Sequence, residues 1–353
     1  MTDIRQQLLS EWVADTLAKL TGGSAGEARL ESVSGDASFR RYFRTVVNER
    51  SFIAVDAPPD NEDSATFVRL SNLFRDAGVC APKVFAEDFE QGFMLLDDFG
   101  DQLLLPALRE ARARKDFDTV DAHYREAIRV MLDIQQKVDG GRLGPYDRKA
   151  LRREMDLFPQ WFCEKFLEVS TEPHQGLIDS TFKLLEDSAL AQPQVPVHRD
   201  YHSRNLMLLN PDDYEGKHRL GVIDFQDAVV GACSYDLVSL LRDCYIRWED
   251  SRLQGWLEHY LERAQARGLL AETSPAQLRR DFDLMGLQRH IKVMGIFARL
   301  AIRDKKPRYL ADIPLVIHYF LDVAAGYPEL ADFLQWFREE LLPRAGKKLN
   351  QEF

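Results

Sequence analysis

Cysteine-based metal-binding and disulfide signatures are missing from this sequence. Its four cysteines, at positions 80, 163, 233 and 244, form no CxxC pair, and none stands beside a histidine at metal-ligand spacing; zinc-stapled and disulfide-framed folds are excluded. They read as free thiols, the small buried hydrophobes of a protein in the reducing cytoplasm. No apolar run approaches membrane-spanning length, and the start MTDIRQQLLSEW has neither the basic onset nor the apolar stretch of a secretory signal. Positive charge is the scarcer sign: 46 Lys and Arg against 57 Asp and Glu leave a net charge of −11 and a pI near 5.3. Nucleic acid and anionic membrane are therefore not expected partners. Gly (20) and Pro (15) are too few for a collagen-like or low-complexity chain. What is there is a soluble globular composition, 45% hydrophobic and 29% charged, in 353 residues, a length that suits two lobes.

Ile4, Leu8 and Trp12, beside Leu9, Val13 and Leu17, predict an amphipathic helix over 3–20, closed by the breaker GGSAGEA. The period then changes to two, with strands at 30–33, 39–47 and 51–55 around the small-residue loop Gly35-Asp36-Ala37-Ser38. A helix is expected from Glu62 to Ala77, with Phe67, Leu70, Leu73 and Phe74 facing inward and Gly78 ending it. Short strands are expected near Val84 and over 93–96. Beyond Gly100 the pattern is helical at 105–114, 119–138, 149–168, 175–188, 236–247, 251–267, 276–302, 312–325 and 329–342. Two strand-like pieces interrupt it, at 205–209 and 220–224. The Met and Leu spacing in 278–300 reads as core, and the tail PRAGKKLNQ as a frayed end. The expected class is α+β, with a β-rich lobe over 1–99 and a larger helical lobe over 100–353, joined near Asp98 to Asp101.

The stretch that carries chemistry is VHRDYHSRNLML, followed by VIDFQD. It sets Asp200, Asn205 five residues later, and Asp224 at the end of an apolar strand into one short region. Phosphoryl transfer needs a carboxylate to receive the acceptor hydroxyl's proton, and hard oxygen ligands for the Mg²⁺ that neutralises charge on the moving phosphoryl. HxDxxxxN followed by a strand ending in IDF is the catalytic-loop and metal-Asp pattern of kinase-like phosphotransferases, with DFQ where protein kinases carry DFG. Any one of these residues could simply cap a turn; the joint arrangement argues for chemistry.

HRDYHSRN and VIDFQD closely resemble the aminoglycoside phosphotransferase and choline kinase family, and the match extends along most of the chain. Within it, SGDASFRRYFR, VDAPP, MLLDDFGD and the HRDYHSRN loop look like the amino-sugar anomeric kinases of cell-wall recycling. The resemblance implies a bilobal protein-kinase-like fold, ATP and Mg²⁺ as cofactors, and a small-molecule amino sugar as partner: phosphorylation of the C1 hydroxyl of N-acetylmuramate and N-acetylglucosamine. Residue by residue, it implies Asp200 as the base and Asn205 with Asp224 as metal ligands. His198 and Asp236 would be structural, packing and tying down the loop. His202, Arg199, Arg204 and Asp227 would touch substrate or support the site.

The nucleotide side departs from the protein-kinase pattern. Gly35 and Ser38 could cover phosphates with backbone N–H groups, yet the loop has one glycine where three are usual. Strand three, Phe52-Ile53-Ala54-Val55-Asp56, lacks the phosphate-binding lysine. Arg40, Arg41 and Arg44 are the nearest replacements; by period 2, Arg40 and Arg44 share one face and Arg41 takes the other. Glu62 corresponds to the helix glutamate that usually pairs that lysine. Asp97 and Phe99 fall at the expected hinge, where backbone groups would read the adenine edge. Arg242, His290, Trp161 and Trp248 are further candidates for holding a sugar. The rivals are a kinase of another hydroxyl metabolite, such as choline, homoserine or an aminoglycoside, and a nucleotide-binding sensor that has lost turnover.

Overall fold

The computed structural model describes residues 3–22, 28–33, 39–210 and 217–353. Gly35 and Ser38 lie outside the described residues. The chain forms two compact units: Met1–Leu104 with Asn205–Gln226, and Leu105–Arg204 with Asp227–Phe353. Residues 205–226, read from sequence as part of the helical lobe, thus group with the first unit.

In the first unit, α1 (Ile4–Thr21) starts where the Asp3 carboxylate accepts the Gln6 N–H and stops where Gly22 turns left-handed, at φ 69°. Its Leu9, Val13 and Leu17 cluster with Phe43, Phe52, Ala54, Phe93 and Leu95 of a five-stranded antiparallel sheet. The strands are β1 (Glu31–Val33), β2 (Arg41–Val47), β3 (Arg50–Asp56), β4 (Val84–Asp88) and β5 (Phe93–Asp97), in the order β1-β2-β3-β5-β4. Asn48 and Glu49 both adopt positive φ, the backbone of a tight two-residue hairpin turn, and fix Phe43 opposite Ala54 and Arg44 opposite Ile53. α2 (Ser64–Asp76) begins two residues later than expected because Asp63, accepting from Thr66 N–H, is its N-cap.

A hairpin, Leu206–Leu208 against Leu220–Val222, completes this unit. The Leu208 N–H donates to Gln102 O at 2.7 Å and the Val222 N–H to Cys80 O at 2.8 Å. Gly221 is required here, since a Cβ would meet the Phe99 ring at 2.5 Å.

The second unit is mostly helical: α3 (Leu104–Ala113), α4 (Phe117–Lys137), α5 (Arg148–Met155), α6 (Gln175–Ala191), α7 (Tyr235–Leu241), α8 (Asp250–Ala266), α9 (Pro275–Ile302), α10 (Ile313–Ala324), α11 (Ala331–Trp336) and α12 (Leu342–Leu349). α9 runs through a core of phenylalanines from 158, 162, 166, 182, 320, 333 and 337. The helix expected over 149–168 is broken: Pro159 has no N–H to give Met155, and the chain continues as a π-helix, Phe158–Phe166. The tail read as frayed is helical, with Ala345 buried and Asn350 left-handed at its end. A three-stranded sheet of Gly144–Pro145, Val229–Ala232 and Gln194–Val197 went unread in the sequence, its pieces being too short to show a period. Among the described residues no helix is long and apolar enough to cross a membrane.

Candidate active site

The loop expected to carry the base, His198 to Arg204, belongs to the second unit. Strand Gln194–Val197 ends at His198, and two aspartates hold the loop beyond it. Asp236, buried in the first turn of α7, accepts the backbone N–H of His198 at 2.6 Å and of Arg199 at 3.0 Å. Both donors reach one carboxyl while Arg199 stands at φ 75°, a backbone strain that non-glycine residues carry when the surroundings enforce it. Burial pushes the Asp236 carboxyl up to about 7, against the pull of its two N–H donors. Asp243 takes the Ser203 N–H at 3.0 Å and the Ser203 hydroxyl. The Tyr201 hydroxyl donates to Ala127 O at 2.8 Å, and the Asp200 N–H points at His198 Nδ1 at 3.3 Å. His198 and Asp236 therefore act on the loop backbone.

Asp200 is half-buried in a field of cations. Burial opposes its ionisation, but Lys292, His202, Arg199 and Arg289 outweigh that and hold the carboxyl below its ordinary value. The cations are themselves ordered. Glu154 of α5 pairs with Arg199 and, at 2.9 Å, with Lys292, whose ammonium also donates to the Tyr235 hydroxyl at 2.9 Å. Arg199 lies over the Tyr146 ring and donates to Asp227 O at 3.3 Å. A half-buried arginine and a buried lysine and glutamate thus share one network, and none is left without a counter-charge.

The oxygen ligands expected for a metal belong to the first unit. Asn205 opens the hairpin and Asp224 ends it, at φ 67°. The Asn205 amide donates to Asp224 Oδ2 at 3.1 Å, and Gln226 Nε2 to Oδ1 at 2.7 Å. Phe225, between them in sequence, is buried and packs on Phe67 and Phe74 of α2, which fixes the exposed Asp224. Amide and carboxylate oxygens are the hard donors Mg²⁺ takes. Among the described residues no group of three or more His, Cys, Asp or Glu gathers as a metal cage. A two-residue site suits Mg²⁺, which commonly binds one or two protein ligands and fills the rest of its shell with water and substrate phosphate.

β2 sorts Arg41 and Arg44 to different partners, as period 2 predicts, while Arg40 lies just ahead of the strand. Arg41 lies on the α1 side, tied to Asp3 and Asp56. Arg44 is tied to Asp98 at 2.5 Å and Asp101 at 2.9 Å. Arg40, only 6% exposed, forms an ion pair with Glu62 at 3.1 Å and stands over the Phe67 ring. Glu62, just ahead of α2, also takes the Phe39 N–H at 3.1 Å. Half-buried Tyr42, next along, feels both Arg40 and Asp224 electrostatically. A glutamate-paired cation is therefore present, just ahead of β2 rather than in strand three where the lysine was sought.

Elsewhere the side chains are committed. The Asp97 N–H donates to Lys83 O at 2.9 Å, its carboxylate takes the Lys83 N–H, and Phe99 packs with Cys80, Met207 and Leu209. Trp248 is core rather than a sugar platform, donating to the Tyr124 hydroxyl at 2.6 Å. Arg242 is buried against Asp283 and His290 is stacked on Tyr319. Sequence reading missed Glu154, Asp243, Arg289 and Lys292. A signal existed for three of them: Asp243 comes two helical turns after Asp236, and Gln288, Arg289, His290 and Lys292 are a polar cluster inside an otherwise apolar helix.

The sequence matches the phosphotransferase enzyme family over residues 29–272. It is 40% identical over 335 residues to the N-acetylmuramate/N-acetylglucosamine kinase of Pseudomonas putida, covering 94% of this chain and 95% of that one. The choline kinase LicA from Streptococcus pneumoniae superposes with a TM-score of 0.60 at 12% identity, over 91% of this chain and 100% of that one. The aminoglycoside phosphotransferase APH(2'')-IIa, solved as a ternary complex with streptomycin and ATP, gives 0.56 at 13% identity, over 89% and 97%. Both structural likenesses are of fold: a small sheet-bearing N-terminal part and a larger helical C-terminal part, the kinase-like architecture.

Proposed function

The chain belongs to the phosphotransferase enzyme family, and on that premise we propose that it is an ATP- and Mg²⁺-dependent kinase of the anomeric C1 hydroxyl of N-acetylmuramate and N-acetylglucosamine. The acceptor comes from the relative's name and the length of the match. The reaction class is carried by one observation, the Asn205 amide against the Asp224 carboxylate at the hairpin mouth, which supplies the oxygen pair a nucleotide-bound divalent ion requires. Mg²⁺ held by these two residues would neutralise charge on the transferring phosphoryl.

Asp200 receives the proton of the acceptor hydroxyl. A hemiacetal hydroxyl is more acidic than an ordinary alcohol, and in a loose transition state its proton leaves late, so a carboxylate of low basicity suffices. The cations around Asp200 keep it ionised and ready to accept. Arg40, held by Glu62, contacts the nucleotide phosphates in place of the missing lysine. It is a buried guanidinium with a counter-ion and a fixed ring beneath it, which gives it a defined direction. The ATP-bound structural neighbour supports the choice of nucleotide.

Measuring ADP release with N-acetylmuramate, N-acetylglucosamine, choline and kanamycin tests this reading, with phosphorus NMR to locate the product phosphate on C1. Turnover of kanamycin without turnover of either sugar overturns the acceptor. Tight ATP binding with no turnover of any acceptor overturns the enzyme and leaves the sensor.

A further inference from the structure

N-acetylmuramate differs from N-acetylglucosamine by a lactyl ether that carries a carboxylate, so an enzyme that accepts both must manage a negative charge present on only one of them. Four cations were candidates to meet it, and three are spent. Arg199 is held by Glu154, Arg242 is buried against Asp283, and His290 is fully buried and stacked on Tyr319.

Arg204 is different. It is half-exposed, and among the described residues its guanidinium makes neither a hydrogen bond nor an ion pair. It is nevertheless ordered, lying 3.7 Å from the centre of the Tyr245 ring. That ring is fixed in turn: the Tyr245 N–H donates to Asp243 at 2.9 Å, Arg109 donates to Tyr245 O at 3.2 Å, and the His202 ring meets it edge-on at 5.4 Å. Asp243 also holds Ser203, the residue before Arg204. The carboxylate that feels Arg204 electrostatically, Asp312, forms no ion pair with it among the described residues, and burial pushes that carboxyl up toward its neutral form. A planar fork of donors, flat on an aromatic ring and lacking its own anion, is a prepared carboxylate receptor.

We propose that Arg204, presented by Tyr245, binds the lactyl carboxylate of N-acetylmuramate and sets the preference between the two sugars. This rests on the amino-sugar reading of the acceptor. Arg204 lies four residues after Asp200 on the same loop, in the unit that supplies the base, which favours the acceptor's carboxylate over a nucleotide phosphate as its partner.

The test measures the ratio of kcat/KM for N-acetylmuramate to that for N-acetylglucosamine in the wild-type enzyme, Arg204→Gln and Arg204→Lys, together with KM for ATP. Loss of a charge-assisted contact should lower the ratio by about 10- to 100-fold in Arg204→Gln, and by less in Arg204→Lys. The uncharged lactyl amide of N-acetylmuramate supplies a second readout: the wild-type enzyme should discriminate acid from amide and Arg204→Gln should not. Because each is a ratio within one preparation, a partly folded variant does not disturb it. An unchanged ratio overturns the proposal, whether both rates fall together or KM for ATP rises. Failure of the wild-type enzyme to turn over either sugar instead overturns the amino-sugar reading beneath it.

Discussion

In the proposed reaction a single carboxylate, Asp200, would bear the proton transfer, and its surroundings fix how it should behave. The Asp200→Asn variant should keep ATP affinity within a small factor while kcat falls by about 10² to 10⁴, the usual contribution of a positioned base; an unchanged kcat would remove Asp200 from the reaction. Since Lys292, His202, Arg199 and Arg289 hold its folded pKa below the ordinary value, the carboxyl loses its proton at lower pH than a free aspartate. The acid limb of kcat/KM that belongs to Asp200 should therefore fall below pH ~4; a limb at neutral pH that vanishes in Asp200→Asn would contradict this. Arg40 makes a second residue-scale claim. Arg40→Ala should raise KM for ATP about tenfold or more while Arg40→Lys recovers part of it, read from initial rates against ATP concentration. Equal values for both variants and the wild type would leave the Arg40–Glu62 pair as a packing device. Alternation along the strand was legible in the sequence, as the different partners of Arg41 and Arg44 bear out, whereas Arg40 falls just ahead of the strand. Glu154 left no such signal, because only tertiary packing joins α5 to α9 and brings it to Lys292.

Elements that carried a long period were readable, and those set by one residue's hydrogen bonding were not. The spans of α4, α8 and α9 lie close to the 3.6-residue pattern. The expected helix at 149–168 fails at Pro159, and the helix expected from Glu62 starts later because Asp63 caps it. α9 also crosses the π-helix so closely that Gly295 has no room for a methyl group: a Cβ there would sit 2.4 Å from the Leu157 carbonyl carbon and 2.6 Å from the Phe158 nitrogen. Gly295→Ala should destabilise the fold by about 1–3 kcal/mol or more, because the obstructing atoms are backbone. Gly255, in α8, meets nothing within 4 Å, so Gly255→Ala should instead stabilise by about 0.5–1 kcal/mol through a stiffer unfolded chain. Urea titration of both variants checks the pair; two shifts of the same sign would refute the contrast.

For the molecule as a whole, the cysteines serve as reporters. All four are buried and unpaired, and burial pushes the thiols of Cys80 and Cys233 up to about 12. Native protein should react with a thiol reagent at neutral pH only as fast as it opens, and denatured protein should label four times. Cys80 reports the first unit and Cys163, Cys233 and Cys244 the second, so site-resolved mass spectrometry would read each separately; rapid labelling of any of them in the native state would refute the burial. The two-part architecture was legible from the change of texture near Gly100. The assignment of 205–226 was not, since nothing local tells a two-stranded hairpin which unit it will pack with. That assignment has a consequence for biosynthesis. Translation delivers the first unit's sheet well before the hairpin bearing Asn205 and Asp224, so during synthesis Cys80 O and Gln102 O wait for amide donors not yet polymerised. The nascent N-terminal portion cannot finish folding until ribosomal elongation has passed Gln226, and a stall upstream of Asn205 leaves it without the strand pair that seals Phe99.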